Sequence, residues 1–240
     1  MSQVLPANAI PDKSPGMRLP ELHCRNDVLA LRFEEEQWVL SWSLTRPGFV
    51  RTRAIAWLRV ADVDLPIGID PRMLLGERLG RAGFGDAVQM MTSRDVSKYH
   101  QARSECGETF ACCLATVGLA NACRVGDRSF ASKAVGTINL AVYVNRPLDQ
   151  AGMIEALSIA TEARTAAVMD LGWRRDGAVV TGTGTDCIAM ACPISPDGES
   201  FAGLHTDVGA AIGGSVYRAV HAGGLEWIAE RKPVVKETQG

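Results

Sequence analysis

The sequence predicts an α+β fold in which a mixed or mainly antiparallel sheet packs against two long C-terminal helices, as a sandwich-like single domain. Three observations support this prediction. Several short apolar segments come first, two long segments rich in alanine or glycine follow, and regular βαβ alternation is missing. A chain of 240 residues that is 47% hydrophobic can also bury one substantial core.

The first two strands are predicted at residues 27–33 and 37–43. Both are short apolar runs with β-branched and aromatic side chains, and the acidic stretch EEEQ separates their apolar residues. This pattern is typical of a β-hairpin.

A helix is predicted next, at about residues 71–82, because Pro71 suits a first helical turn and a glycine lies near the end. Three further strands are predicted at residues 86–93, 109–119 and 136–145. Each is largely apolar, which favours buried central strands over half-exposed edge strands.

The first long helix is predicted at residues 148–171, with Asp149 as its N-cap and Gly172 just beyond its end. Alanine, isoleucine and leucine occur on every side of this segment. We therefore expect the helix to be covered on more than one face.

The last helix is predicted to begin near residue 206 and contains Gly209, Gly213 and Gly214. Each glycine costs about 1 kcal/mol relative to alanine inside a helix. Such a cost indicates that another part of the structure packs very close to this helix.

The two ends of the chain are expected to lie outside the core. Residues 1–22 spread four prolines through a polar segment that has neither the basic start nor the apolar centre of a secretion signal. We predict a flexible segment over residues 1–22, one domain over residues 23–230 and a polar tail over residues 231–240. Since no apolar stretch reaches the roughly 20 residues needed to span a bilayer, we predict a cytoplasmic protein with no membrane partner.

Charge and motif content exclude several functional classes. The formal net charge is −2 with both signs interspersed, so no footprint for nucleic acid is present. The glycines follow neither the Rossmann nor the Walker A order, and no HExxH, HxH or CxxC spacing occurs, so we predict no metal and no cofactor. The seven cysteines are irregularly spaced in apolar surroundings, which favours reduced, mostly buried thiols.

Five motifs in a fixed order carry a family resemblance. They are ATVGLANACRVGD (115–127), GTINLAVYVN (136–145), ATEARTAAVMDLG (160–172), VVTGTGTDCIAMA (179–191) and LHTDVGAAIGGSVYRAV (204–220). Together they resemble the adenosylcobinamide amidohydrolase family of corrinoid salvage enzymes. The likeness runs from about residue 90 to residue 222, and the region before Leu65 carries no matching motif.

The resemblance implies an enzyme of cobalamin (vitamin B12) biosynthesis that hydrolyses the amide between the aminopropanol arm and the corrin ring of adenosylcobinamide. The implied products are adenosylcobyric acid and 1-amino-2-propanol, or its phosphate. The corrinoid is then the substrate rather than a cofactor. Whether the protein forms a homo-oligomer stays open.

Residues 181–186, here called the threonine block, are the first candidate binding surface. Thr181, Thr183 and Thr185 would line one face of an extended segment and supply hydroxyls, while Gly182 and Gly184 would permit close backbone approach. A corrin edged with primary amides needs such a surface. The structural alternative is a turn whose threonines satisfy backbone groups.

Other predicted substrate-binding residues carry hydroxyl or amide side chains, namely Asn121, Thr137, Asn139 and Thr206. An unpaired amide in an apolar strand costs about 1–3 kcal/mol, so both asparagines need partners. Those partners are corrin amides, the scissile carbonyl or the neighbouring backbone. Ser93 and Asp95 are further candidates, because they follow a predicted strand that could end at the same cleft.

The catalytic candidates are His205, Asp186 and Glu162. His205 stands at the positive end of the last helix, where a neutral general base or an oxyanion contact is favoured. Asp186 could orient a histidine or activate water, and Glu162, expected to be partly buried with a raised pKa, could protonate the leaving amine. The structural alternatives are a helix-start histidine, a turn aspartate and an ion pair of Glu162 with Arg124 or Arg218.

Water is the favoured nucleophile. The Asp186 charge would raise the pKa of the neighbouring Cys187 thiol and so disfavour the reactive thiolate. Two other functional classes stay open: a non-catalytic corrinoid or nucleotide binding protein, and a structural oligomer whose glycine-rich last helix packs on its twin.

Overall fold

The computed structural model describes residues 19–66, 68–127 and 135–231. The predicted flexible segment and the polar tail therefore lie outside the described residues, except for residues 19–22 and Arg231. The strands are β1 (Glu21–Arg25), β2 (Val28–Ser41), β3 (Gly48–Arg59), β4 (Val88–Thr92), β5 (His100–Cys106), β6 (Thr109–Val117), β7 (Ala122–Cys123), β8 (Ile138–Val144), β9 (Arg174–Arg175), β10 (Ala178–Val179), β11 (Gly182–Thr183) and β12 (Cys187–Pro193). The helices are α1 (Pro71–Arg81), α2 (Gln150–Asp170) and α3 (Asp207–Ala229).

One mixed sheet of eight strands organises the molecule. Its order is β4-β3-β2-β12-β8-β6-β5, and β1 pairs with β2 beside this path. The β3–β4 and β12–β8 pairs are parallel and the other pairs are antiparallel. With two long C-terminal helices packed on this sheet, the predicted α+β class is confirmed.

The predicted hairpin within residues 27–43 is wrong. Residues 28–41 form the single long strand β2, whose register with β3 shifts between Arg32 and Gln37. The acidic stretch therefore forms an irregularity that absorbs extra residues without reversing the chain. The real turn precedes it at Asn26 and Asp27, whose φ angles of 52° and 62° suit a tight hairpin between β1 and β2.

The sheet is strongly curled. The indole Nε1 of Trp57 on β3 donates to Thr116 Oγ1 on β6 at 3.1 Å, although three strands separate β3 from β6. In a flat sheet with strands about 4.8 Å apart, these strands would lie roughly 19 Å from each other. The concave face thus closes on itself around an apolar interior that includes Leu29, Leu31 and Leu114.

Helices cover the convex face at two places. The α2 and α3 helices pack on each other and on the half of the sheet formed by β5, β6, β8 and β12, whereas α1 buries Leu75 and Leu79 against the β3–β4 side. The predicted α2 ends are confirmed: Asp149 Oδ1 accepts from the Gly152 N–H at 2.9 Å, and Gly172 has a φ of +64°. No helix in the described ranges is long and apolar enough to cross a membrane.

The α3 glycines permit close packing within the chain. A Cβ on Gly209 would lie 2.1 Å from the Gly203 carbonyl oxygen, and one on Gly214 would lie 2.5 Å from Ser104 Oγ. Gly213 differs, because the nearest atom to its Cβ position is Ile159 Cγ2 at 3.8 Å. The expected close approach is confirmed for two of the three glycines, and it needs no second copy of the chain.

A candidate ligand cleft beside the threonine block

An open cleft of about 440 Å³ lies where β4 ends and β8 and β12 begin. Its walls are mainly apolar, formed in part by Leu44, Val60, Leu65, Met90 and Met91. Hydrogen-bonding groups converge on it from several segments, namely Ser93, Thr137, Asn139, Gly184 and Thr185. Apolar walls with a few convergent polar groups are typical of small-molecule sites. The structure therefore brings together a subset of the predicted binding residues.

Asp186 lines the cleft, but its carboxylate is fully engaged inside the protein. Its Oδ1 accepts from the Ile138 N–H at 3.0 Å and from the Thr183 hydroxyl, and its Oδ2 accepts from the Thr183 N–H at 3.0 Å and from Arg164. The side chains of Asp186 and Arg164 are only 7% and 14% exposed. Four donors use the lone pairs of a carboxylate, so Asp186 anchors the threonine block to β8 and α2.

The first half of the threonine block has structural partners. Thr181 Oγ1 accepts from the Val125 N–H at 2.7 Å, and Thr183 bonds to Asp186. A Cβ on Gly182 would lie 2.5 Å from Arg164 Nη1, so this glycine makes room for the internal ion pair. The structural alternative thus describes these three residues better than ligand binding does.

The second half of the block faces the cleft. Gly184 and Thr185 are exposed, and a Cβ on Gly184 would have no atom within 4 Å. Thr137 Oγ1 donates to the Thr185 carbonyl oxygen at 2.7 Å and lies 2.7 Å from Thr185 Oγ1, which in turn reaches the Gly136 carbonyl at 3.0 Å. This pair places the hydroxyl of the exposed residue Thr185 beside the cleft.

The two predicted asparagines occupy different environments. Asn139 is 1% exposed, and its Nδ2 donates to the Met91 carbonyl at 2.7 Å, joining β8 to β4 behind the cleft. Asn121 lies in the turn before β7, outside the cleft lining. Its Oδ1 is buried without a hydrogen-bond partner among the residues that the structure describes.

Ser93 and Asp95, the two further candidates, also occupy different environments. Ser93 lines the cleft and its hydroxyl lies 3.4 Å from the Val135 carbonyl, whereas Asp95 caps the short helical turn after it through the Ser97 N–H at 3.0 Å. Hydrogen bonds from Ser97 hold the pKa of Asp95 below its usual value. Asp95 is therefore a capping residue.

His205 and Thr206 lie at the opposite end of the sheet. Asp207, which follows them, accepts a hydrogen bond from Cys106 Sγ at 3.3 Å beside the turn where β6 starts. The far end of β6 pairs with Ile138, whose N–H contacts Asp186. Nine strand residues span about 25 Å, so one chain does not assemble the predicted single site from the threonine block and the start of α3.

Thr206 is the N-cap of α3, and its Oγ1 accepts from the Gly209 N–H at 3.0 Å. His205 is exposed. Its catalytic role stays a prediction that its position does not favour.

Glu162 is exposed on α2, so the burial on which its predicted acid role depended is absent. The charged residue that α2 turns inward is instead Arg164, the partner of Asp186. Sequence reasoning missed it, although Arg164 is the one basic residue of the α2 helix. A lone basic residue in this helix was the feature of the sequence that could have predicted an internal ion pair.

Cys187 also lines the cleft and is 8% exposed. Burial, followed by the Asp186 charge, raises the pKa of its thiol to about 12. A thiol with this pKa is almost entirely protonated near neutral pH, which agrees with the prediction that Cys187 is a poor nucleophile. All seven cysteines are free, and four of them are buried.

A charged cluster that the sequence analysis did not identify lies next to the cleft along the chain. Arg94, one residue beyond Ser93, pairs with Glu230 at the end of α3, and Lys98 Nζ reaches the same carboxylate at 2.6 Å. His100 Nε2 lies 2.6 Å from Glu226 Oε2. These pairs attach the β4–β5 connection to α3. Within the described ranges, no three His, Cys, Asp or Glu side chains are grouped so that they could hold a metal ion.

Comparisons with known proteins agree with the resemblance noted in the sequence. Residues 14–232 match the family model described as adenosylcobinamide amidohydrolase. A curated protein from Halobacterium salinarum with that same description is 32% identical over 158 residues, which cover 61% of this chain and 63% of the relative. The match thus spans less than two thirds of that relative's length.

One further sequence relative and one solved structure show weaker similarity to this chain. An uncharacterized protein from Methanocaldococcus jannaschii is 27% identical over 222 residues, covering 80% of this chain and 84% of the relative. A solved protein structure from Pyrococcus horikoshii OT3 aligns with a TM-score of 0.41 and 12% identity, over 91% of this chain and 82% of that one.

Proposed function

Because the chain belongs to the adenosylcobinamide amidohydrolase family, we propose that it hydrolyses the amide between the corrin ring and the aminopropanol arm of adenosylcobinamide. The products are adenosylcobyric acid and 1-amino-2-propanol, or its phosphate, and the reaction returns salvaged corrinoid to cobalamin biosynthesis. The observation that carries this proposal is the family match over residues 14–232, which includes the strands and helices that build the cleft.

The cleft suits the arm of such a substrate. Its volume of about 440 Å³ accommodates a short aliphatic amide, while a corrin with its amide side chains is larger and has to remain at the mouth. The polar groups that reach the cleft are neutral hydroxyls and amides, apart from Asp186, whose charge Arg164 balances. Neutral donors and acceptors are what an uncharged amide requires.

In this proposal, Thr185 and Ser93 orient the scissile amide, and the apolar walls exclude bulk water from the arm. Water attacks the carbonyl carbon and its oxygen enters the new carboxylate. The C–N bond breaks as the leaving nitrogen takes one proton, and the second proton of the water then converts the free amine into an ammonium group. The Asp186–Arg164 pair keeps the threonine block in place during these steps.

A non-catalytic corrinoid carrier is the second candidate, and one observation favours it. Among the residues that the structure describes, the carboxylate lining the cleft is saturated by internal donors, and His205 and Glu162 lie elsewhere. A carrier needs binding groups alone, without a free acid or base.

The decisive experiment incubates the purified protein with adenosylcobinamide in H₂¹⁸O and analyses the products by mass spectrometry. We expect adenosylcobyric acid with one ¹⁸O in its new carboxylate, together with unlabelled 1-amino-2-propanol. Binding of adenosylcobinamide without turnover would support the carrier. Absence of both would refute the two candidates.

Matched variants locate the site. Gly184→Leu fills the cleft at a position with open space, so we expect a folded protein with at least tenfold lower turnover. Gly76→Leu serves as the control, because Gly76 is exposed on α1 and no atom lies within 4 Å of its Cβ position. His205→Ala should retain turnover if the reaction occurs in the cleft. Loss of turnover in His205→Ala with normal turnover in Gly184→Leu would move the active site to the start of α3.

A further inference from the structure

Trp42 is unusual among the residues around the cleft. It immediately follows β2, lines the cleft and keeps 48% of its surface exposed. A tryptophan in a folded protein is normally largely buried, because its large apolar surface is costly to hydrate. Two other exposed apolar residues, Leu44 (39%) and Val135 (53%), also line the cleft. Exposed apolar surface gathered at a cleft indicates an interaction site.

The orientation of the Trp42 ring is fixed. Its Nε1 donates to the Asp186 main-chain carbonyl at 2.8 Å, and Asp186 is itself clamped by its own four donors. The adjacent backbone is held as well, since Ser41 Oγ and Ser43 Oγ lie 2.9 Å apart and Ser43 donates to the Thr45 carbonyl at 2.6 Å. A ring that is already positioned loses little conformational entropy when a ligand stacks on it.

The chemistry of this surface defines its ligand. An indole face binds flat conjugated or methyl-rich groups, and a cation is the other common partner. The charge of Asp186, the carboxylate that lines the cleft, is balanced by Arg164, so no net negative charge selects a cation there. A flat conjugated ring that presents an apolar face, with any charge spread over the ring rather than localised at one atom, is the group that fits.

We propose that Trp42 is the platform on which the face or edge of the corrin macrocycle rests while its amide arm enters the cleft. This inference rests on the proposed function and extends it, because it assigns the ring to the mouth and the arm to the interior. Leu44 and Val135 complete the apolar contact. Trp42 therefore determines affinity for the macrocycle and takes no part in bond breaking.

The test compares Trp42→Ala and Trp42→Phe with the wild-type protein. Equilibrium dialysis measures the Kd for cobinamide, and steady-state kinetics give KM and kcat for adenosylcobinamide. We expect Trp42→Ala to raise the cobinamide Kd and the KM by about tenfold with kcat changed less than threefold, because stacking contributes to ground state and transition state alike. Trp42→Phe, which keeps an aromatic face, should recover most of the affinity.

Phe201→Ala is the matched control, since Phe201 is 74% exposed and precedes α3 at the opposite end of the sheet. It should bind cobinamide as the wild type does. Equal Kd values for wild type, Trp42→Ala and Phe201→Ala would overturn the platform. Unfolding temperatures of all variants identify any loss of fold, and Trp42→Phe keeps the test informative if Trp42→Ala is unstable.

The two proposals fail in different ways. Normal hydrolysis with an unchanged KM in Trp42→Ala would overturn the platform and leave the enzyme intact. Weaker cobinamide binding in Trp42→Ala, with no hydrolysis by the wild type, would overturn the enzymatic proposal and keep the platform as part of a corrinoid carrier. Neither binding nor hydrolysis of adenosylcobinamide by the wild type would overturn both.

Discussion

At the scale of single residues, the chemistry of Asp186 is decided by its neighbours. Its donors come from Thr183, from Arg164 on α2 and from the Ile138 N–H on β8. The sequence indicated either a turn aspartate or a catalytic carboxylate that orients a histidine or activates water. It could not distinguish them, because two of these donors lie 22 and 48 positions away along the chain. Only the packing of α2 against the threonine block determines that the carboxylate is fully occupied.

The two glycines of the threonine block should respond differently to an added methyl group. A Cβ on Gly182 would lie 2.5 Å from Arg164 Nη1 and 2.7 Å from Asp186 Oδ2, so Gly182→Ala should separate a mostly buried pair and destabilise the protein by about 2 kcal/mol. Gly184→Ala meets no atom within 4 Å and should change stability by less than about 0.5 kcal/mol. Urea unfolding of both variants measures the difference. Equal stabilities of the two variants would contradict the inference that Gly182 makes room for the Asp186–Arg164 pair.

Cys187 should be chemically inert in the folded protein. Because burial and the Asp186 charge raise the pKa of its thiol to about 12, iodoacetamide near neutral pH should modify it far more slowly than the exposed Cys24. Peptide mass spectrometry after timed labelling measures both sites. Rapid labelling of Cys187, together with loss of turnover, would favour a cysteine nucleophile over water.

At the scale of elements, α3 combines glycines under steric constraint with one that is free. Gly213→Ala should raise stability by about 1 kcal/mol, because the new methyl group has room and alanine favours the helix. Gly209→Ala should lower stability by more than about 2 kcal/mol, because its Cβ would lie 2.1 Å from a backbone oxygen that has no side-chain freedom to move. Thermal unfolding of the pair tests this, and a stabilised Gly209→Ala would show that α3 can shift.

Helices were more predictable than strands for a physical reason. The Asp149 cap, Pro71 and Gly172 act within a few residues, so the ends of α1 and α2 could be predicted locally. Strand β2 depends on its register with β3 and β12, partners that a local pattern of acidic and apolar residues does not specify. For the same reason the sequence indicated some residues that line the cleft, such as Thr137 and Thr185, but it could not place His205 at the other end of the sheet.

At the scale of the whole molecule, Glu230 links stability to pH. Hydrogen bonds from Arg94, and then from Lys98, lower its pKa from 4.5 to about 2 in the folded protein. A carboxylate with a depressed pKa stabilises the fold above its unfolded pKa, and this stabilisation is lost as pH falls from about 4.5 towards 2. Glu230→Gln should therefore cost about 1 kcal/mol at neutral pH, after allowance for solvent screening.

The pH dependence gives this prediction its control. The difference between Glu230→Gln and wild type in urea unfolding should shrink as the buffer is acidified below the unfolded pKa of 4.5. Glu77→Gln, which removes an exposed ion pair with Arg81 on α1, should have almost no effect at any pH. If the stability lost in Glu230→Gln did not depend on pH, the loss would come from packing rather than from the charge of Glu230.

The position of β12 at the centre of the sheet also affects how the chain folds during synthesis. It pairs with β2 on one side and β8 on the other, yet Ser41 and Cys187 lie 146 positions apart (187 − 41). At typical translation speeds of about 5–20 residues per second, one edge of β2 waits roughly 7–30 s for its partner. During that interval part of one edge of β2 lacks its partner and can pair with other chains. Such long-range pairing slows folding, and any delay in the synthesis of the C-terminal quarter of the chain, which contains β12, slows it further.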